Sequence, residues 1–272
     1  MNNNTILKFE FKHCLESKKF KIIILFCTIL SIGAFLVNSF YYYGGKLTEI
    51  RSATDVNIIN GTKCGAIRMI LILILPLISL SFYSDSFLVD YNTGMYKNIV
   101  SRISKDKYIF NKVVVISTIS FATILYMFVL NELLCIIAFP INGIANSFGN
   151  PSFKKSYISD SFLALIKFNN PYMYDFIMIF IYSIISSLHA ILSFSISLFF
   201  KHKRVVFMIG YFLVCQAIDM LFQVLGIYEF HIDNIINSNN GSLIVLAIWS
   251  IVILTLSFVL INVNKNSKEF LL

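Results

Sequence analysis

The chain alternates long apolar runs with polar connections. Six stretches are nearly free of charge, at about residues 22–42, 67–83, 113–139, 172–200, 205–227 and 242–263. A bilayer core ~30 Å thick takes roughly 20 apolar residues wound as a helix, whereas a barrel strand takes only about 10. Backbone polar groups in lipid must bond within the chain, so runs of this length predict helices. The expected fold class is an all-α membrane protein: six transmembrane helices in a single transmembrane domain spanning 1–272.

Residues 5–20 show a different period. Leu7, Phe11, Cys14 and Leu15 share one helical face, and Lys8, Lys12, Glu16 and Lys19 share another. That pattern predicts an amphipathic helix lying in the membrane interface. Asn2 to Lys21 is too polar and too long for the front of a cleaved signal. Pro76 predicts a kink in the second run, and Arg68 at its outer end is expected to reach the interface. The connections 43–66 and 140–171, rich in Gly and Pro, read as polar loops, the second with a short interfacial helix at Ser161–Phe168. The tight turn Lys201–Arg204 makes runs four and five antiparallel neighbours.

Composition supports this picture. Hydrophobic residues make up 57%, charged residues 13%, and mean hydropathy is +0.78. Soluble domains carry about 25% charge, so a soluble protein is excluded, and little chain remains for a nucleotidase, kinase or DNA-binding module. Of the 22 Lys and Arg residues, fifteen lie in the segments on the N-terminal side and seven opposite. The positive-inside rule therefore predicts that both termini are cytoplasmic. The basic excess fits topology and anionic membrane lipids and argues against a nucleic-acid partner. Cys14, Cys27, Cys64, Cys135 and Cys215 are odd in number and irregularly spaced, which suggests neither a disulfide framework nor a zinc site.

Enzymatic signatures are missing. The sequence has no Gly-x-x-x-x-Gly-Lys-[Ser/Thr] and no His-Glu-x-x-His, and His13, His189, His202 and His231 are scattered. No catalytic residue and no metal site is expected. Two polar stripes stand out instead. Ser186, His189, Ser193 and Ser197 follow helical spacing on the fourth run; Gln216, Asp219 and Gln223 do so on the fifth. The tight turn puts His189 and Gln216 at similar depth. The stripes read either as a polar lining for a substrate path or as hydrogen-bonded helix packing. Asp219 weighs towards the first, because an intramembrane carboxylate is costly. Glu132, beside Asn131, is expected near the outer interface and solvated.

The connection 90–112 runs from Asp90 to Lys112 and carries five Lys and Arg. Gly94 breaks any helix continuing from the second run. Met95, Ile99 and Ile103 then recur at i, i+4 and i+8, with Lys97, Arg102, Lys105 and Lys107 mostly elsewhere. This predicts a short amphipathic helix at the inner surface, either resting on lipid or docking into a protein groove.

This loop resembles that of ABC-2 type transporter permeases, as does the run Leu7-Lys8-Phe9-Glu10-Phe11-Lys12 … Ser17-Lys18-Lys19-Phe20 before the first span. In the family pattern Asp90 takes an acidic place, Gly94 a glycine, Lys97–Ser101 a short helix, Ser104-Lys105 a Ser-Arg pair, Tyr108-Ile109 an aromatic-apolar pair and Lys112 a final lysine. Met95 departs from a usual threonine, Lys105 from arginine and Asp90 from glutamate. The six-span layout agrees along the whole chain.

The resemblance implies the membrane subunit of an ATP-driven bacterial exporter, multi-pass in the plasma membrane. It would pair with itself or a similar permease, and with separate cytoplasmic ABC ATPase subunits. No cofactor would be bound by this chain; ATP and Mg would sit on the ATPase. Coupling to that partner would fall on Asp90, Gly94, Met95, Lys97, Ile99, Arg102, Ile103 and Lys105, and a substrate path, or packing alone, on His189, Ser193, Gln216, Asp219 and Gln223. Composition resembling low-GC Gram-positive bacteria suggests, by analogy, export of or immunity to antimicrobial peptides or other hydrophobic compounds. The alternatives are a non-transporting membrane immunity or scaffold protein and an intramembrane enzyme using His189 and Asp219.

Overall fold

A computed structural model describes residues 3–46, 49–141, 163–200, 204–232 and 242–266. The described residues are helical, with no strand. The helices are α1 (Asn3–Glu16), α2 (Lys18–Tyr42), α3 (Ala53–Val56), α4 (Gly65–Ser81), α5 (Ser86–Asn92), α6 (Met95–Val100), α7 (Lys105–Ala138), α8 (Ala164–Asn169), α9 (Pro171–Ser197), α10 (Arg204–Val224) and α11 (Leu243–Asn266). Six helical segments are long and apolar enough to cross a membrane: α2, α4 continued through α5, α7, α9, α10 and α11. The expected all-α membrane fold is therefore present, and each predicted span falls on a helix.

α9 is the centre. It packs against α7, α4 and α11, and α2 closes over α7. Its serines explain the close approach. Ser186 Oγ lies 2.9 Å from Ser79 Oγ of α4 and 2.8 Å from Ser120 Oγ of α7. Ser187 Oγ donates to the Ser117 carbonyl at 3.2 Å, and Ser197 Oγ to the Ser84 carbonyl at 3.1 Å. Small hydroxyl side chains let backbones come near and bond across. Across α2 and α7, Ser31 Oγ donates to the Met127 carbonyl at 2.5 Å, and Asn131 Nδ2 to the Ser31 carbonyl at 2.9 Å.

The expected break at Gly94 and the short helix after it are present, with different bounds around them. The connection 90–112 is mostly helix: α5 runs to Asn92, Gly94 turns with φ +75° and α6 follows. α7 then begins at Lys105, not near 113. At 1.5 Å per residue its 34 residues span roughly 50 Å, longer than a ~30 Å core, so its first turns stand outside the apolar layer. The amphipathic helix accordingly ends at Val100, with Ile103 in the turn beyond it.

The connection 43–66 is not a solvated loop. Ser52 to Ile59 is largely buried, with Asn57 1% and Ile58 2% exposed. Its polar groups find partners on the helix ends: Asn131 Oδ1 accepts from Ile58 N at 2.9 Å, and Asn38 Nδ2 donates to the Val56 carbonyl at 2.5 Å. Arg68, expected at the interface, donates from Nη1 to the Ile59 carbonyl at 2.6 Å. Gly61 is needed here, since a Cβ would lie 2.5 Å from the Asn57 carbonyl oxygen.

α1 ends at Glu16, and Ser17 starts the first span by accepting from Phe20 N at 3.2 Å. The buried face of α1 is Ile6, Glu10 and Cys14; of the expected Leu7, Phe11, Cys14 and Leu15, Cys14 is on it and the others are half-buried or exposed. Of the short helix expected at Ser161–Phe168, α8 covers Ala164–Asn169, and Ser161 and Phe162 lie outside the described residues. So do most of 140–171 and His202.

The connectivity puts Lys97 and Lys46 at opposite ends of the helices. With the N-terminus cytoplasmic, a cysteine at Lys97 should react with an impermeant maleimide only from the inside, and one at Lys46 only from the outside. The cysteine-free background and sealed right-side-out and inverted vesicles make this a direct readout of orientation.

Candidate functional site

A buried charge cluster lies where α1, α5 and α7 meet. Lys112, two turns into α7, is 1% exposed at its side chain. Its Nζ lies 2.7 Å from Glu10 Oε2 of α1 and 3.0 Å from Asp90 Oδ2 of α5, and it donates to Tyr83 Oη at 3.1 Å. An ammonium has three N–H bonds, and three acceptors meet it. Tyr83 gives its one hydrogen to Glu10 Oε2 at 2.8 Å. His13 Nδ1, 2.9 Å from the same hydroxyl, must then be the donor there. Tyr108 Oη donates to Asp90 Oδ2 at 2.7 Å. Every strong donor faces an acceptor, which is the condition for burying such groups.

A second charge set extends the first. Asp85, 1% exposed at the start of α5, accepts from Lys19 Nζ of α2 at 3.1 Å and pairs with Arg204 Nε at the start of α10. Glu10, Asp85 and Asp90 thus balance Lys19, Lys112 and Arg204. One electrostatic unit ties α1, α2, α5, α7 and α10 together at one end of the bundle. Cys14 sits against it, its Sγ donating to the Phe82 carbonyl at 3.4 Å, and burial pushes its thiol up to about 12.

The predicted coupling residues divide around this unit. Asp90 faces inward as a counter-ion and is unavailable to a partner. Lys105 donates to the Asn264 carbonyl of α11 at 2.5 Å. Gly94, Met95, Lys97 and Arg102 are exposed, while Ile99 and Ile103 are half-buried. Met95, Ile99, Arg102 and Ile103 line a cleft of about 270 Å³ whose other wall is Ile6, Phe9 and Glu10 of α1. The apolar row of α6 therefore looks toward α1. Tyr96 is buried, its ring 5.4 Å from Phe87 and 5.5 Å from Tyr108. Through Tyr108 and Asp90, α6 is latched to Lys112.

The intramembrane stripes also divide. His189 is buried, its Nδ1 3.1 Å from Tyr211 Oη. Gln216, expected at its depth, lines one cavity with it, and so does Asp219 a turn further along. Gln216 Nε2 donates to the Leu73 carbonyl at 3.2 Å, one turn before Pro76. Asp219 accepts from Ile232 N at 2.8 Å, and its other oxygen lies 3.0 Å from His231 Nε2. Ser193 donates back to the Ala190 carbonyl in its own helix, and Gln223 is exposed; neither joins the cavity.

A third polar group, at the opposite end, escaped the sequence. Asp175 of α9 is 1% exposed and accepts from Asn57 Nδ2 at 2.8 Å and Asn60 Nδ2 at 2.6 Å. Asn57 also donates to Glu132 at 2.7 Å, so Glu132 is tied into the interior, not solvated. Asp175 resembles an interfacial carboxylate at a helix start; only the inward fold of 52–64 brings the amides to it. Lys112 had a readable signal, a lone lysine at the start of an apolar run. Its partners did not, because Glu10 is distant in sequence. Among the described residues no group of three or more His, Cys, Asp or Glu is placed to hold a metal ion.

Removing one member of the buried cluster leaves charge unpaired, at a cost of about 3–5 kcal/mol. Lys112→Met should therefore lower the unfolding temperature in detergent sharply. The triple replacement Glu10→Gln, Asp90→Asn, Lys112→Met should recover most of the loss, which thermal unfolding by circular dichroism would read.

No protein-family model and no solved structure matches the chain. It is 29% identical over 156 residues to YybM, an uncharacterized protein of Bacillus subtilis (strain 168). The match covers 57% of this chain and 60% of that relative, so the chain spans less than two thirds of the relative's length.

Proposed function

We propose that this protein is the membrane subunit of an ATP-driven ABC-2 type exporter in a bacterial plasma membrane, working with separate ATPase subunits and a second permease copy or homologue. The observation that carries the reading is the mounting of α6. This short helix carries Met95, Lys97 and Asn98 exposed, with Arg102 exposed in the turn beyond it. Its inner residue Tyr96 is locked between Phe87 and Tyr108, next to the charge cluster. A push on the outer face would pass to α5 and α7 through packed rings and short polar bonds, and from Lys112 to α1. Coupling needs such rigid elements with two arrangements available.

Export substrates in this reading are hydrophobic or amphipathic, such as peptides or lipid-like compounds, in keeping with the apolar interior. The intramembrane-enzyme alternative loses support from the site: Asp219 is held by the Ile232 N–H and beside His231. Hydrolysis of ATP would belong to the partner, which would hold the nucleotide and Mg.

Two experiments test the reading. Pull-down of the tagged chain from native membranes in mild detergent should bring a P-loop ATPase in stoichiometric amount; its absence under conditions that preserve membrane complexes would sink the proposal. Gly94→Pro forbids φ +75° and removes the N–H that Tyr91 O accepts at 3.1 Å. It should lower the ratio of transport to ATP hydrolysis by roughly 2- to 30-fold, the span of a 0.5–2 kcal/mol change in coupling, with membrane insertion retained.

A further inference from the structure

Helices α9, α10 and α11, with Pro76 of α4, enclose a cavity of about 250 Å³. Its wall is mainly apolar, from Leu192, Phe222, Ile253 and Leu256 among others. Two nitrogens interrupt it. Nε2 of His189 and Nε1 of Trp249 are buried and have no hydrogen-bond partner among the described residues. His189 is only 2% exposed. The two rings meet edge-on, with centroids 6.2 Å apart and planes at 90°, so they share one wall. Asp219, on the same cavity, is already engaged by the Ile232 N–H and lies beside His231.

The hydrogens in this corner can be assigned. Tyr211 Oη donates to the His189 carbonyl at 3.2 Å. With that hydroxyl hydrogen on the carbonyl, we assign His189 the tautomer that donates from Nδ1 to the same Oη, 3.1 Å away. A buried imidazole with no carboxylate bonded to it carries one N–H, and Asp219 is bonded elsewhere. Nε2 is therefore a bare acceptor, while the indole Nε1 is a donor. The cavity offers one acceptor and one donor in an otherwise apolar space. A hydroxyl satisfies both with one group: it donates to Nε2 and accepts from Nε1–H. A carbonyl serves only the indole, and a hydrocarbon neither. Leaving such groups unpaired costs about 1–3 kcal/mol each.

The route of entry follows from exposure. Ile218, Val252 and Leu256 line the cavity yet are 40%, 41% and 49% exposed on the outer faces of α10 and α11. These faces belong to membrane-spanning helices, so the cavity opens sideways toward lipid. We propose that it is a binding site for an apolar alcohol drawn from the bilayer, its hydroxyl between His189 Nε2 and Trp249 Nε1 and its chain against Phe222, Ile253 and Leu256. The site stands apart from the transport reading and would exist in a protein that never meets an ATPase.

Trp249 is the only tryptophan in the chain, so its fluorescence reports from the cavity wall. The full chain in nanodiscs would be titrated with 2-bromo-1-octanol and with 1-bromooctane at matched membrane concentrations, since bromine quenches indole on contact and in the alcohol lies next to the hydroxyl. Quenching by the alcohol should saturate, with a half-quenching concentration about 5- to 30-fold below that of the alkane, as one or two net hydrogen bonds supply. Unbrominated 1-octanol should restore the fluorescence and octane should not. His189→Leu should move the alcohol curve onto the alkane curve. Coincident curves in the unsubstituted protein, or displacement by octane as readily as by octanol, would overturn the proposal; the displacement test needs no variant to fold. Selectivity unchanged in His189→Leu would overturn it as well.

Discussion

A lysine ammonium with almost no contact with water governs the end of this bundle where the chain begins. Desolvating such a charge costs several kcal/mol unless its hydrogens all find acceptors. Lys112 meets that condition with Glu10, Asp90 and Tyr83. The three lie on separate elements, so the condition is also a constraint on tertiary structure. α1 must lie against α7 with Glu10 inward, and α5 must end where Asp90 reaches Nζ. Asp85 repeats the logic with Lys19 and Arg204, bringing in α2 and α10. Among apolar helices, where a sliding surface costs little, these polar fixtures define position. The hydrophobic effect places the helices in the membrane but does not align them there.

The same principle acts in a weaker form along α9. Its serines bond to Ser79, Ser120, Ser117 and Ser84. They act as fasteners between α4, α7 and α9, so that stripe is mostly helix packing. His189 departs from the pattern. Its Nδ1 is engaged by Tyr211, while Nε2, like Trp249 Nε1 on the same cavity wall, has no partner among the described residues. Serine hydroxyls on α9 thus hold helices together, while at His189 and Trp249 unpartnered ring nitrogens line a cavity.

Function, in the proposed reading, draws on both ends of this arrangement. α6 sits outside the apolar layer with its outward face clear and its inner ring fixed. Because Tyr96, Tyr108, Asp90 and Lys112 form a continuous series of close contacts, displacement of α6 has few ways to dissipate locally. The cavity between α9, α10 and α11 lies away from that unit, so ligand binding and mechanical coupling have separate seats.

Several features were legible in the sequence. The length and hydropathy of the runs determine six membrane-crossing helices, because a backbone in lipid must satisfy its own hydrogen bonds. Gly94 marks a turn, since it alone in that stretch adopts φ +75° at no cost. The tight turn before α10 predicts the shared depth of His189 and Gln216, because two helices joined so closely must run antiparallel. Other features were decided only by the folded structure. Whether Asp90 faces a partner or the interior depends on Lys112, 22 residues away, and on Glu10, far earlier in the chain. Whether 52–64 is solvated depends on Asp175 and Asn131 meeting its amides. Which ring nitrogen of His189 remains open depends on the bonds of a tyrosine on another helix. Periodicity and hydropathy are properties of one segment, but the pairing of a buried polar group is a property of the several segments that surround it.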